Sequence, residues 1–159
     1  MNTPLTFAQA QRTVQLLASR PLVRLITEID DNGAVPPRRL ASTLPDLSPH
    51  QLRSASATAR THGLVRRAPG AGLELTSAGT GLADLYDAMA RWARRQGGPD
   101  SVCEFSSRVQ HVLDLLAPSL TAERADDTNE TLARLRTLLT QWLAANSQTV
   151  TVSEPEPVA

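Results

Sequence analysis

The stretch SPHQLRSASATARTHGLVRRAPGAGLELT, residues 48–76, constrains the fold most, because it fixes where one helix starts and stops and leaves room only for a hairpin after it. Ser48 can accept a hydrogen bond from the free amides of a first helical turn, and Pro49 has the φ that position N1 requires and needs no donor there. The helix is therefore expected to begin at Pro49. His62-Gly63 closes it, since Gly63 can take the left-handed conformation that ends helices. Leu64-Val65 and Leu73-Glu74-Leu75 are short β-prone runs, and Ala68-Pro69-Gly70-Ala71-Gly72 between them has turn composition. A small β-hairpin follows.

Around this stretch the apolar spacing is helical. Phe7, Ala10, Val14 and Leu17 recur at three- and four-residue intervals, as do Leu22, Leu25, Ile26 and Ile29 before the Asp30-Asp31-Asn32-Gly33 stop. Val35-Pro36-Pro37 introduces a short helix over residues 38–44, and Pro45-Asp46-Leu47 supplies a turn. Leu40, Leu44, Leu47 and Leu52 are expected to form the local core. Thr76 caps a longer helix whose stripe is Ala78, Leu82, Leu85, Met89 and Trp92. Gly97-Gly98-Pro99-Asp100 is the clearest break in the chain. Two further amphipathic segments follow, one with Val102, Phe105, Val109, Val112 and Leu116, the other with Leu132, Leu135, Leu139 and Trp142. Such stripes must be covered by the same chain or by a second subunit. After Asn146 the periodicity is lost and a tail is expected.

The short helix, the turn, the capped helix, the hairpin and the helix after it resemble the HxlR family of bacterial winged-helix transcriptional regulators, relatives of the MarR type. Leu47-Ser48-Pro49 with Leu52, His62-Gly63-Leu64-Val65-Arg66-Arg67, Leu75-Thr76-Ser77-Ala78-Gly79 and Trp92 carry the resemblance, which covers roughly residues 18 to 95. It implies a mainly α fold with a small β-hairpin, a winged helix-turn-helix plus additional C-terminal helices. The expected organisation is an N-terminal helix over 1–19, which could be a dimer arm or core, a winged helix-turn-helix over 20–97, a helical extension for dimerisation over 98–146, and a flexible tail over 147–159. One departure is local. Ser56 and Ala59 stand where such regulators carry large aliphatic side chains on the inner face of the recognition helix.

The formal charge of the whole chain is zero, but between Gly33 and Ala83 six arginines face only Asp46 and Glu74. This basic excess falls where the resemblance places DNA. Arg38 and Arg39 could grip phosphate at the start of the short helix. Ser48, His50, Gln51, Arg53 and Ser54 lie at the end of the recognition helix that would enter a major groove. Arg53 is the best candidate for a base contact, because a guanidinium can bond guanine O6 and N7 together. Arg66 and Arg67 should alternate in direction along a strand, so at most one of them is a strong phosphate candidate. The expected partners are double-stranded DNA, a second copy of the chain and, compatibly, a small-molecule effector. The outer face of the helix is short of long polar side chains and the wing has no basic tip. An alternative is therefore a winged-helix protein-interaction module with weak or no specific DNA binding.

Enzyme chemistry is not expected. His50, His62, His111 and Cys103 show neither HxxxH nor CxxC spacing, and Gly70-Ala71-Gly72 lies between short strands rather than before a long helix, so neither a metal nor a cofactor site is read. Glu123 and Asp126-Asp127 read as helix-capping carboxylates. Cys103, beside Val102 and Phe105, reads as a packed thiol. With a single cysteine, no basic-then-apolar leader and apolar runs far below the roughly 20 residues that span a bilayer, a cytoplasmic protein is expected.

Overall fold

Alternation between helix-spaced leucines and helix-stopping Gly, Pro and Asn sets the order of elements. The structure is a computed structural model that describes residues 7–95, 105–117 and 130–145. Helices α1 (Phe7–Leu17) and α2 (Arg20–Asn32) come first, and a 3-10 turn (Pro37–Arg39) leads into the short α3 (Leu40–Thr43). Then follow α4 (Pro49–Thr61), strands β1 (Val65–Ala68) and β2 (Gly72–Leu75), α5 (Ser77–Arg95), α6 (Phe105–Leu116) and α7 (Glu130–Ala145). The Gly97–Asp100 break, Cys103, Glu123, Asp126-Asp127 and the tail after Asn146 lie outside the described residues.

The fold is mainly helical with one two-stranded antiparallel hairpin, in which Val65 faces Leu75, Arg66 faces Glu74, Arg67 faces Leu73 and Ala68 faces Gly72. The strands reach closer to the tip than expected and leave Pro69-Gly70-Ala71 as the turn. Val35 adds an isolated bridge to Leu73, exchanging both backbone hydrogen bonds at 3.0 and 2.9 Å, so the segment before α3 is tied to the hairpin. Gly72 makes this possible. Its φ is +102°, and a Cβ there would overlap the Val35 carbonyl.

The core joins all the elements. Leu22, Leu25 and Ile26 of α2, Leu44 and Leu47 of the α3–α4 connection, Leu64 before β1 and Leu82, Tyr86 and Met89 of α5 belong to one cluster with Val109, Val112 and Leu113 of α6 and Leu139 of α7. Helix α5 is the hub, lying against α2, α6, α7 and β2. The helices after residue 98 thus fold back onto α5 within the same chain, and α6 also reaches α2. Trp92 is buried, as its place in the α5 stripe predicts, and its Nε1 donates to Thr131 Oγ1 of α7 at 2.8 Å. From α7, Trp142 Nε1 donates to the Ala78 carbonyl at 3.0 Å.

Helix α1 ends without a glycine or a basic residue in its last turn. Its C-terminal carbonyls are satisfied from elsewhere in the fold. Tyr86 of α5 donates its hydroxyl to Leu17 O at 2.6 Å, and Gln110 of α6 donates to Ala18 O at 2.7 Å. Orphan carbonyls at a helix end need partners, and here tertiary contacts provide them. Burial pushes the Tyr86 phenol well above its ordinary value, so it remains a donor.

Candidate nucleic-acid interface

Helix α4 is positioned from both ends by local chemistry. At its start Ser48 Oγ accepts from Gln51 N at 3.1 Å while Gln51 Oε1 accepts from Ser48 N at 2.9 Å, a reciprocal capping box. At its end Leu64 N donates to Ala59 O at 2.8 Å and Gly63 N to Arg60 O at 3.1 Å, with Gly63 at φ +67°. That is a Schellman stop, closed by apolar contact between residues of the Ala59 and Leu64 type. The next helix is locked to this stop. Thr76 Oγ1 donates to Gly63 O and accepts from Gly79 N, and a Cβ on Gly79 would overlap the Leu64 carbonyl.

The turn before α4 is held by ion pairing. Asp46 receives Arg24 through two hydrogen bonds of 2.9 and 2.8 Å and Arg20 through a third of 2.9 Å. The Arg24 hydrogen bonds, helped by the charge of Arg20 and opposed by burial, hold the Asp46 carboxyl well below its ordinary value. The turn two residues ahead of the cap is thus fastened to α2.

The inner face of α4 carries Leu52, Ala55 and Ala59, and the helix lies against α2. Ser56 is half-buried on the flank, with its Oγ out of reach of solvent and without a hydrogen-bond partner. His50, Arg53, Ser54, Ala57, Arg60 and Thr61 are exposed. At 100° per residue these positions fall on the side opposite the inner stripe. From Leu47 to Leu73 the chain contains no Asp or Glu. The outer face of α4 therefore carries the guanidiniums of Arg53 and Arg60 and no carboxylate of its own. Arg60 belongs to it although the sequence reading did not single it out; its seven-residue spacing from Arg53, two helical turns, is the signal that shows it.

The remaining candidates fall into two groups. Arg38 and Arg39 are exposed but sit in the 3-10 turn that Pro36 and Pro37 introduce, immediately ahead of the α-helix, with Arg39 at its N-cap position, rather than within its first turn. With only four α-helical residues behind them, the helix dipole adds little, and the phosphate grip expected there rests on the guanidiniums themselves. Arg66 and Arg67 are both exposed. Arg66 pairs with Glu74 directly across the hairpin at 2.6 Å, which leaves Arg67, exposed on the Leu73 side of the ribbon, as the strand's cation without an ion-pair partner among the described residues. Ser48 and Gln51 are exposed yet engaged in the capping box, so they orient the helix. Asp46 and Glu74, the two acids of the basic segment, are each held by arginine. Among the described residues Arg38, Arg39, Arg53, Arg60 and Arg67 have no ion-pair partner.

No group of three or more His, Cys, Asp or Glu side chains among the described residues is arranged to hold a metal ion, and no helix among them is long and apolar enough to cross a membrane. His62 is buried at the end of α4, whereas His50 and His111 are exposed on different helices. Exposed guanidiniums on a helix capped at both ends can neutralise phosphates and reach base edges. No family model, curated protein or solved structure matches the chain.

Proposed function

We propose that the chain is a winged helix-turn-helix DNA-binding regulator that acts as a homodimer on a pseudo-palindromic operator. In this reading α3 and α4 form the helix-turn-helix, α4 enters the major groove, and the β1–β2 hairpin is a short wing beside the backbone. The observation that carries it is the outer face of α4, with Arg53 and Arg60 exposed, no acid between Leu47 and Leu73, and the helix fixed by the Ser48–Gln51 box and the Asp46 clasp. Arg53 is the base-reading residue. Arg38, Arg39, Arg60 and Arg67 contact phosphate, with Ser54 and His50 at the groove edge and Arg66 bridging to Glu74.

The competing reading is a winged-helix module that binds another protein. The small Ser54–Ala57–Thr61 strip on α4 and the uncharged Pro69-Gly70-Ala71 tip favour it. Fluorescence anisotropy on DNA from the promoter beside the chain's own gene, at 50 and 200 mM salt, separates the two. A regulator binds with an affinity that falls by about 0.9 log units per log unit of salt for each phosphate neutralised. Arg53→Ala should cost about 1–3 kcal/mol on the operator and much less on unrelated DNA. Symmetric protected half-sites about 34–36 Å apart are the expected footprint. Flat titrations on every fragment, or an Arg53→Ala protein that binds like the wild type, remove the assignment or its base contact respectively.

A further inference from the structure

The period of α4 sets which of its side chains meets a partner first. At about 100° per residue the buried Leu52, Ala55 and Ala59 point inward within an arc of about 60°, and the direction opposite to them is held by His50 and Ala57. Arg53 and Arg60 lie about 50–70° to one side of that ridge, Ser54 and Thr61 about 30–50° to the other, and all six are exposed. His50 is in the first turn, whereas Ala57 is in the middle of the helix, between the Ser48–Gln51 box and the Gly63 stop. The centre of the outward ridge is therefore a methyl group, with guanidiniums on one flank and hydroxyls on the other.

Dimensions decide what such a ridge admits. An α-helix with its side chains is about 10–12 Å across, and the major groove of B-DNA is about 12 Å wide and 8.5 Å deep. A helix led by a methyl enters that groove further than one led by a long side chain, and the arginines, set back on the flank, still reach past it. The methyl also limits what can be recognised. Ala57 offers no donor or acceptor, so its side chain discriminates by apolar contact alone. Among the groups that base edges display in the major groove, the C5-methyl of thymine is the apolar one.

We propose that Ala57 is a specificity-determining residue, which reads the C5-methyl of a thymine in the operator half-site. This rests on the proposed DNA-binding function and adds to it a second base and its place. Arg53 precedes Ala57 by four residues, about 6 Å along the helix axis, and Arg60 follows it by three, about 4.5 Å. Successive base pairs are about 3.4 Å apart, so with α4 lying along the groove the thymine falls about two base pairs from the guanine that Arg53 reads. Arg60 then meets the sugar-phosphate strand beyond it. The group recognised is a methyl on C5 of a pyrimidine, so 5-methylcytosine at the same place presents the same contact. An alanine that served only helix propensity on a solvent face would make the opposite prediction, indifference to that methyl.

The full chain first selects its binding sequence from a random duplex library, and anisotropy then compares the selected duplex with copies in which each thymine in turn is deoxyuridine, which lacks only the methyl. One such replacement, about two base pairs from the guanine whose preference is lost in Arg53→Ala, should weaken binding about fourfold, the worth of one methyl taken out of contact. At that position a 5-methylcytosine–guanine pair should bind more tightly than a cytosine–guanine pair by a similar factor. In Ala57→Gly the ratio of affinities for thymine and deoxyuridine there should fall to about one while the Arg53 guanine preference remains. The ratio compares one protein on two duplexes, so a less stable glycine helix does not move it. Thr61→Ser, which removes a methyl from the flank, is the control and should leave the ratio unchanged. A selected sequence with no thymine at that distance, no position sensitive to deoxyuridine, or the same ratio in Ala57→Gly as in the wild type would each overturn the Ala57 assignment and leave DNA binding standing. A library that yields no enriched sequence removes the DNA-binding function itself, and the thymine contact with it.

Discussion

Asp46 sits where charge, the turn and helix α4 meet, and its three hydrogen bonds to Arg20 and Arg24 make it the most informative single residue to titrate. Because the folded carboxyl is held below its ordinary 3.8, its contribution is complete above that value and is lost as the pH falls through it toward the lower folded value. Asp46→Asn should cost about 1 kcal/mol near neutrality, the upper range for a partly exposed bidentate pair, and the gap to wild type should close below pH 3.8. Urea denaturation of both proteins from neutral pH downward checks the sign. A second residue acts through burial. Tyr86→Phe leaves the Leu17 carbonyl without its donor and should cost about 1–2 kcal/mol by thermal melting, although the ring is retained. Neither effect is legible in the sequence, since Asp46 and Arg24 are 22 residues apart, and Tyr86 and Leu17 are 69.

At the scale of elements, most boundaries follow from local chemistry and were readable in advance. Ser48-Pro49 starts α4, Gly63 stops it and Thr76 starts α5, each through a backbone hydrogen bond that the residue type makes available. The exception is α3. The apolar pattern predicts a helix over 38–44, but Pro36 and Pro37 tighten the first turn into a 3-10 form, and only Leu40–Thr43 is α-helical. Proline fixes φ and removes donors, so the ladder begins later than the apolar pattern suggests. Gly79 marks where two elements meet. Gly79→Ala drives a methyl into the Leu64 carbonyl at the stop of α4 and should destabilise by about 1–3 kcal/mol despite the better helix propensity of alanine. Any operator binding should weaken with it, because the stop of α4 and the first turn of α5 are in contact there; melting curves paired with DNA anisotropy report both.

For the whole molecule, the decisive fact is that α6 and α7 close on α5 rather than standing away from it. Trp142 is the bolt of this arrangement. Its ring lies against Gly81, and its Nε1 bonds the Ala78 carbonyl. Trp142→Ala should lower stability by about 3–5 kcal/mol and expose α7 to limited proteolysis ahead of the α2–α5 core. The exposed Leu115 and Leu138, on α6 and α7, place apolar surface on the extension, where the homodimer reading puts the contact between copies. Sedimentation equilibrium on the full chain measures that reading directly.

What the sequence determined by itself is local. The caps of α4 and α5, the hairpin, the leucine stripes, the inward Leu52, Ala55 and Ala59 and the outward His50, Arg53 and Ser54 follow from residue type and from a period of 3.6, which act over a few residues. What the tertiary structure decided is which surfaces meet. It paired Asp46 with α2 and Glu74 with Arg66, engaged Ser48 and Gln51 in each other, gave the end of α1 to Tyr86 and Gln110, and opened a cavity between α2, α5 and α6. These outcomes depend on how helices cross and pack, and periodicity along a chain carries no information about the crossing.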